Sequence, residues 1–387
     1  MNLTERIKAH AVGLGFDLVG IAPAGLAPHA REYADWVAAG MMGEMAYMAR
    51  DPERRSDLRR VLTNARSAIV VGLSCYTIDL PDEVKHDPSR GLIARYAWGV
   101  DYHDLMTPRL EDLAQFVRKE SGGKAVTHPE RNEVESKDAL SSTTPLRGSA
   151  QNASIQTKAY VDTGPVLERD WALASGLGFI GKNSCLINPR MGSWLFLGGV
   201  ITDADLTLTP EPSPFKGVGG RAALGEGITC GTCMRCLTAC PTNAFPAPYI
   251  IDARKCISYL TIELKGSIPV ELRLLMGNHI FGCDICQEVC PWPTRFAAPT
   301  KERSFYPIDV DRAAPKLIDL AQLSEEDFKQ RFAGTPLLRS KRRGLLRNVA
   351  VALGNWGSAE AREALDMLAG DPDPIISEHA RWGLASR

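Results

Sequence analysis

Four cysteines fall within eleven positions in the stretch CGTCMRCLTACPTNAF (230–245), and a proline closes the group. Few arrangements tolerate thiols this dense. Cys230, Cys233, Cys236, Cys240 and Pro241 read C-x2-C-x2-C-x3-C-P. In that spacing three thiolates wrap one iron–sulfur cube, while the fourth points away to serve a second. A second group is therefore required. GCDICQEVCPW supplies Cys283, Cys286 and Cys290 before Pro291, one cysteine short, and Cys256 in ARKCISYL is the missing member, displaced upstream by an insertion. Reciprocal pairing places Cys230, Cys233, Cys236 and Cys290 on one 4Fe-4S cluster, and Cys240, Cys256, Cys283 and Cys286 on the other.

The plain alternative is structural zinc, which two C-x2-C pairs can hold. Eight cysteines with two C-x3-C-P endings exceed what one zinc needs. The other two of the ten cysteines, Cys75 and Cys185, lie outside the groups and read as buried small hydrophobes. Nothing in the N-terminal MNLTERIKAHAVGLGFDLVGIAPA reads as an export signal, so clustering points to metal rather than disulfides. No apolar run reaches the ~18 residues of a membrane span.

Two clusters relay single electrons but do not say where they go. A carrier would need only this segment. Here over 200 residues precede it and nearly 100 follow, out of 387, which argues for a second site. The formal net charge of −1 excludes a global field for nucleic acid, so any such contact needs a local patch.

The N-terminal part reads as helix, strand (FDLVGIAPA) and helix over 1–35, then a buried strand, SAIVVGLSCY, at 67–76. Leu105, Leu110, Leu113, Phe116 and Val117 form a helical face. The stretch from Lys158 to Ile187 reads strand, turn, helix, glycine stop, strand, and SWLFLGGVITD adds another strand. The alternation predicts an α/β cofactor domain over 1–225, with α+β as the alternative arrangement. A ferredoxin-like domain over 226–300 and a helical domain over 301–387 follow. Residues 121–157 and 209–227 are polar or rich in Pro and Gly and read as surface loops.

The C-terminal segments RNVAVALGNWG and SEHARWGLASR echo each other, with Ala350 and Ala380 thirty residues apart, as in helical-hairpin repeats of HEAT type. Ahead of them RSKRRGLLR carries Arg339, Lys341, Arg342, Arg343 and Arg347. Such a run is commonly a solvated helix face. It also has the composition of a phosphate-backbone footprint.

Taken in order, ARYAWGVDYHD (94–104), YVDTGPVLERDWALASGLGFIGKNSCLI (160–187), SWLFLGGVITD (193–203), the two cysteine groups and the helical tail resemble the epoxyqueuosine reductase family. The resemblance covers almost the whole chain outside the two polar loops. It implies a cytoplasmic oxidoreductase that removes the epoxide oxygen of epoxyqueuosine at the wobble position of tRNA. Cobalamin and two 4Fe-4S clusters would serve it, fed by an external low-potential donor. A monomer with no membrane association is expected. Lys265, Arg339, Lys341, Arg342 and Arg343 would contact the tRNA.

Within that resemblance Asp162, at a strand end before a Gly-Pro turn, matches the catalytic aspartate. An acid role there requires burial that favours its protonated form; the plain alternative is a cap for the next helix. Arg55 and Tyr96 lie in family-like segments and are expected against cobalamin, as is Asp162. Lys182 and Asn183 follow a glycine stop and are candidates to hold cofactor amides or phosphate. Ser258, Cys283 and Asp284 stand where a cluster must face its acceptor. His103 reads equally as structural or functional. The D-x-H-x-x-G signature of a histidine cobalt ligand fails, because Met106 replaces the glycine after Asp101 and His103. Two rivals remain: a reductive-dehalogenase-like cobalamin enzyme acting on a small molecule, and an iron–sulfur electron carrier without catalysis. The basic run and helical tail speak against the first.

Overall fold

Alternation within a single strand organises the N-terminal half. In Ser67–Ser74 every residue is buried, and successive side chains enter different cores. Ile69, Val71 and Leu73 pack with Ile7, Met106, Leu110 and Leu113, beneath the helices Leu3–Gly13 and Tyr102–Glu120. Ala68 and Val70 face the other way, onto Leu58, Val166 and Trp171, the last from the helix Glu168–Ala174. A computed structural model describes residues 1–122, 155–208 and 229–386. The loops expected at 121–157 and 209–227 lie almost entirely outside the described residues.

The sheet has four strands in the order Leu18–Pro23, Ser67–Ser74, Leu195–Thr202, Thr157–Val161. Every neighbouring pair runs antiparallel. The expected α/β alternation is thus corrected: this part is α+β, the arrangement held as the alternative. A strand covered on both faces is a continuous apolar run whichever way its neighbours point, so composition reveals burial but not direction. The helical face expected around Leu105 to Val117 is present, with Leu110, Leu113 and Val117 fully buried.

Three further helices, Lys341–Trp356, Ala359–Ala369 and Pro374–Ala385, end the chain. The first and last cross where Gly354 meets Gly383. A Cβ on Gly354 would stand 2.8 Å from the Gly383 Cα, too close to accommodate without movement. One apolar core joins all three parts of the chain: Ile93, Ala97 and Trp98 from the first, Ile280 and Phe281 from the cysteine-rich part, and Leu317, Leu346 and Leu353 from the tail. The short strands Leu92–Ile93 and His279–Phe281 pair in parallel across one of these boundaries. No helix among the described residues is long and apolar enough to cross a membrane.

Arg347 leaves the basic surface run. It is 1% exposed, and its guanidinium donates to the carbonyls of Leu260, Leu264 and Gly266 and to Asn348 Oδ1. Asn348 in turn donates to the carbonyls of Thr261 and Ile280. The tail is therefore fastened to the cysteine-rich part through buried polar bonds, whose acceptors would be stranded without it. Arg347→Ala is expected to lower stability by at least ~3 kcal/mol. Arg343→Ala, at an exposed position four residues earlier, should stay within ~0.5 kcal/mol. Thermal denaturation of the two variants beside the parent checks both values.

Candidate functional site: two thiolate nests and an aspartate

The first cysteine group behaves as its spacing requires. Cys230, Cys233 and Cys236 surround a cavity of about 320 Å³, and Cys290 closes it from the far end of the second group. Cys290 is buried, and its thiol is pushed up to about 11 by that burial, with Cys230, Cys236 and Cys233 adding to the rise. The thiols ring a space, which suits a cube that brings its own sulfides.

The second group forms a similar nest. Cys283 is held up by burial, with Cys256 and Cys240 near enough to add their charge. The backbone N–H groups of Tyr259 and Ser258 face Cys256, and that of Ala244 donates to Cys240 Sγ at 3.3 Å. Backbone amides aimed at sulfur favour its thiolate form. Gly282 precedes Cys283 with φ +72°, and a Cβ there would stand 2.5 Å from that of Ala94. Only glycine brings this loop so close to the N-terminal part.

Asp162 terminates Thr157–Val161 with φ 47°. The N–H of Thr163 reaches back to the Val161 carbonyl, so Asp162 is the centre of a three-residue turn. It does not cap the next helix, whose first turn has no side-chain cap. Tyr102 Oη donates to Asp162 Oδ2 at 2.6 Å, and an Arg339 amino group stands 3.7 Å from the same oxygen. Arg339 also pairs with Glu263 at 2.7 Å. The carboxyl is 49% exposed.

An aromatic wall stands behind it. Tyr102 stacks on Phe196 at 4.3 Å, and Tyr96 meets both rings edge-on. Burial raises the Tyr96 phenol, which feels Asp162 and Asp284 together. Tyr96 thus links the aspartate to the second cysteine loop. Asp284 accepts the Arg95 backbone N–H at 2.6 Å, and burial lifts its carboxyl to about 7. Arg55 donates to the carbonyls of Gly164 and Tyr47, beside the Asp162 turn. His103 is oriented by Asp101 at 2.8 Å through Nδ1, and its Nε2 is buried without a partner among the described residues.

The structure therefore brings Asp162, Arg55, Tyr96, Asp284 and Cys283 into one neighbourhood, with the Ser258 amide on Cys256 behind them. It takes Lys182 and Asn183 elsewhere. Lys182 donates from its backbone to Cys230 Sγ and from Nζ to the carbonyls of Gly231 and Cys233, while Asn183 donates to the Cys286 carbonyl. Both brace cluster loops. Of the basic group, Arg342 and Arg343 pair with Asp371 and Asp373, and Arg339 turns toward Asp162; Lys341 and Lys265, like Arg343, are exposed. Tyr102 and Glu263 were not singled out from sequence. Tyr102 adjoins the D-x-H pair, the one signal that pointed toward it.

Fold and site together define an iron–sulfur oxidoreductase in which a two-cluster module abuts a separate acid-bearing pocket. Residues 229–293 match the family model of the 4Fe-4S double cluster binding domain, and residues 55–129 match that described as Epoxyqueuosine reductase QueG, DUF1730. The chain is 38% identical over 386 residues to the epoxyqueuosine reductase of Pseudomonas aeruginosa, covering 99% of this chain and 94% of that one. It is 35% identical over 389 residues to that of Escherichia coli, covering 100% and 90%. The crystal structure of epoxyqueuosine reductase with an epoxyqueuosine-modified tRNA-Tyr stem loop superposes with a TM-score of 0.80 at 28% identity, covering 99% of this chain and 89% of that one. The chain belongs to the epoxyqueuosine reductase family.

Glu168 borders this pocket with Oε1 buried and unpartnered among the described residues. Burial raises its carboxyl to about 8, and the Asp162 charge adds to the rise against Arg169 and Arg55. The folded chain thus holds this proton more tightly than the unfolded one. Its contribution is complete below the ordinary glutamate value of 4.5 and is lost as pH rises through about 8. Glu168→Gln mimics the protonated form. Its melting temperature is expected to gain on the parent's steadily from pH 5 to pH 8; a gap independent of pH would contradict this account.

Proposed function

We propose that this chain reduces epoxyqueuosine to queuosine in tRNA, with Asp162 as the proton donor. The observation that carries this reading is the placement of Asp162. It lies on a sharp turn, tied to Tyr102 through Oδ2, beside a wall that continues to the second cysteine loop. The Bacillus subtilis relative, 27% identical with a TM-score of 0.78, has been described with a catalytic aspartate loop swung out of its active site, which supports an aspartate on a mobile turn.

The two clusters supply electrons singly, and cobalamin, when bound, supplies the reducing metal centre at the epoxide. The buried Nε2 of His103, near Asp162 and without a partner among the described residues, fits a polar group arriving in this pocket. Arg55, Tyr96, Ser258, Cys283 and Asp284 would hold the cofactor. Tyr102 engages Oδ2 and leaves Oδ1 to pass a proton to the departing epoxide oxygen. Removing that oxygen as hydroxide is costly, and a positioned acid contributes ~10²–10⁴-fold. Docked tRNA would cover the half-exposed carboxyl and exclude water from it.

The division into 1–225, 226–300 and 301–387 follows the same reading, with the last part a HEAT-like tail that grips the tRNA. Lys341 and Lys265 are its outward cations, and Arg339, Arg342 and Arg343 are released to phosphate if their carboxylate partners yield. A monomer in the cytoplasm, fed by an external low-potential donor, completes it.

The test is anaerobic. The protein is reconstituted with iron and sulfide, then mixed with a low-potential reductant and an epoxyqueuosine-containing stem loop, with and without cobalamin. Nucleoside mass spectrometry should show loss of one oxygen only with cobalamin present. Asp162→Asn should lower turnover by more than ~10²-fold while iron and cobalamin contents stay at parent levels. Undiminished turnover in that variant would remove Asp162 from the proton-donor role. No oxygen loss with both clusters reducible would favour the small-molecule or carrier reading.

A further inference from the structure

Charge is spread unevenly around the two nests. The chain carries 46 aspartates and glutamates in 387 residues, yet the three segments that line the first nest contain none. Residues 171–202 hold Lys182 and Arg190 as their only charged side chains, 229–251 hold Arg235, and 289–300 hold Arg295. Asp252 and Glu288, which border the second and third segments, are already engaged, with Arg254 at 2.8 Å and Lys85 at 3.7 Å. The second nest differs, with Asp284 inside its own loop.

The cavity of the first nest reaches the surface. Arg235, Arg295 and Phe296 line it and are all exposed. Met234, in the loop between Cys233 and Cys236, is 41% exposed, and so is Phe296. Trp292 lies 5.7 Å from the Phe296 ring and 5.4 Å from that of buried Phe179, so the apolar surface continues inward past the nest. Lys182 Nζ stands 3.6 Å from Met234 Sδ and adds a third cation to this rim. The second nest turns inward instead. Gly282 packs on Ala94 and Tyr96, and Tyr96 meets Tyr102, which holds Asp162. Electrons used beside Asp162 leave by the second nest, so they enter by the first.

Exposed apolar side chains ringed by cations, directly over a redox centre, have the build of a docking face. Opposite charge on a partner steers its encounter, and like charge repels it. A small contact of this kind suits a carrier that departs after each transfer. We propose that this face, centred on Met234 and Phe296 and rimmed by Lys182, Arg235 and Arg295, docks a small acidic one-electron carrier protein that feeds the clusters. The carrier loses one electron as the first cluster gains it, and no bond is made or broken. The proposal rests on the external donor of the functional reading and gives that donor a face and a charge. RNA is drawn by the same cations, but its reacting nucleotide must reach Asp162, which Arg339 of the tail touches on the side of the second nest.

The test uses the full reconstituted chain and excess reduced acidic flavodoxin as the carrier. Stopped flow follows the loss of cluster absorbance, and a small uncharged photoreductant serves as control. Reduction of the parent by flavodoxin should slow steeply as ionic strength rises. Arg295→Glu should slow it ~10-fold at low salt, and the gap should close at high salt. Iron content and reduction by the photoreductant should stay at parent levels. Arg235→Gln should shift the rate in the same direction, and it replaces Arg295→Glu if that variant does not fold. No transfer from flavodoxin to clusters that the photoreductant reduces, or rates unchanged in both variants, would overturn the proposal. So would variants that accept electrons normally but bind the stem loop more weakly, because the face would then belong to RNA. Cluster reduction is read without tRNA, so a failure of oxygen loss from the stem loop would count against the epoxide reading alone.

Discussion

A double 4Fe-4S cluster domain must gather its thiols from segments that are not contiguous, and most of the architecture answers to that constraint. Cys290 has to return to a nest built sixty residues earlier, and Cys240 has to leave the one its neighbours form. Loops alone would not hold such a crossing. The parallel pairing of Leu92–Ile93 with His279–Phe281 and the contact of Gly282 with Ala94 bring the second ring against the N-terminal sheet. Arg347 then draws the tail onto the same part by bonding three of its carbonyls. The cluster region's own apolar cluster around Ile257, Leu260 and Met276 takes in Val351 of the tail and Trp36 of the N-terminal part, and its Ile280 and Phe281 join a core shared with both neighbours.

The same packing makes the aspartate site. Asp162 comes from a sheet edge, Tyr102 from the start of a helix, and Arg339 from the short 3-10 turn of the tail that leads into its last three helices. Arg339 pairs with Asp162 and Glu263, so a residue of the helical tail touches the pocket itself. Events on the tail surface and events at the carboxyl are therefore connected through one side chain. That connection suits an enzyme whose substrate is a single nucleotide carried on a large, charged molecule, because phosphate that drew Arg339 away would also change the partner set of the acid.

Polar groups divide clearly between those satisfied and those left open. Arg347, Asn348 and Asn183 are buried and fully engaged, and they belong to the framework. His103 Nε2 and Glu168 Oε1 are buried and unpartnered among the described residues, and both are near Asp162. Buried polar atoms without partners are costly, and these two, among several such atoms spread over the described residues, are the ones whose charge or dipole reaches the Asp162 carboxyl.

The cysteine spacings, the apolar run at 67–76 and the helical face around Leu110 were all legible in the chain, because each depends on residues within one turn, one strand or one short loop. Asp162 was legible as a strand-end acid before a turn. The antiparallel order of the sheet was not, since burial on both faces leaves the same run of apolar residues in either direction. Nor were Tyr102 on Asp162, Arg347 inside the core, or Lys182 and Asn183 on the cluster loops. Cys185 shows the difference most plainly. Its place in the sequence separates it from every other cysteine, and only the return of the chain past the second nest lets Asn183 bridge its N–H to the Cys286 carbonyl. Local spacing determined which residues could bind the clusters; the long-range packing that no local pattern encodes decided what each of them would face.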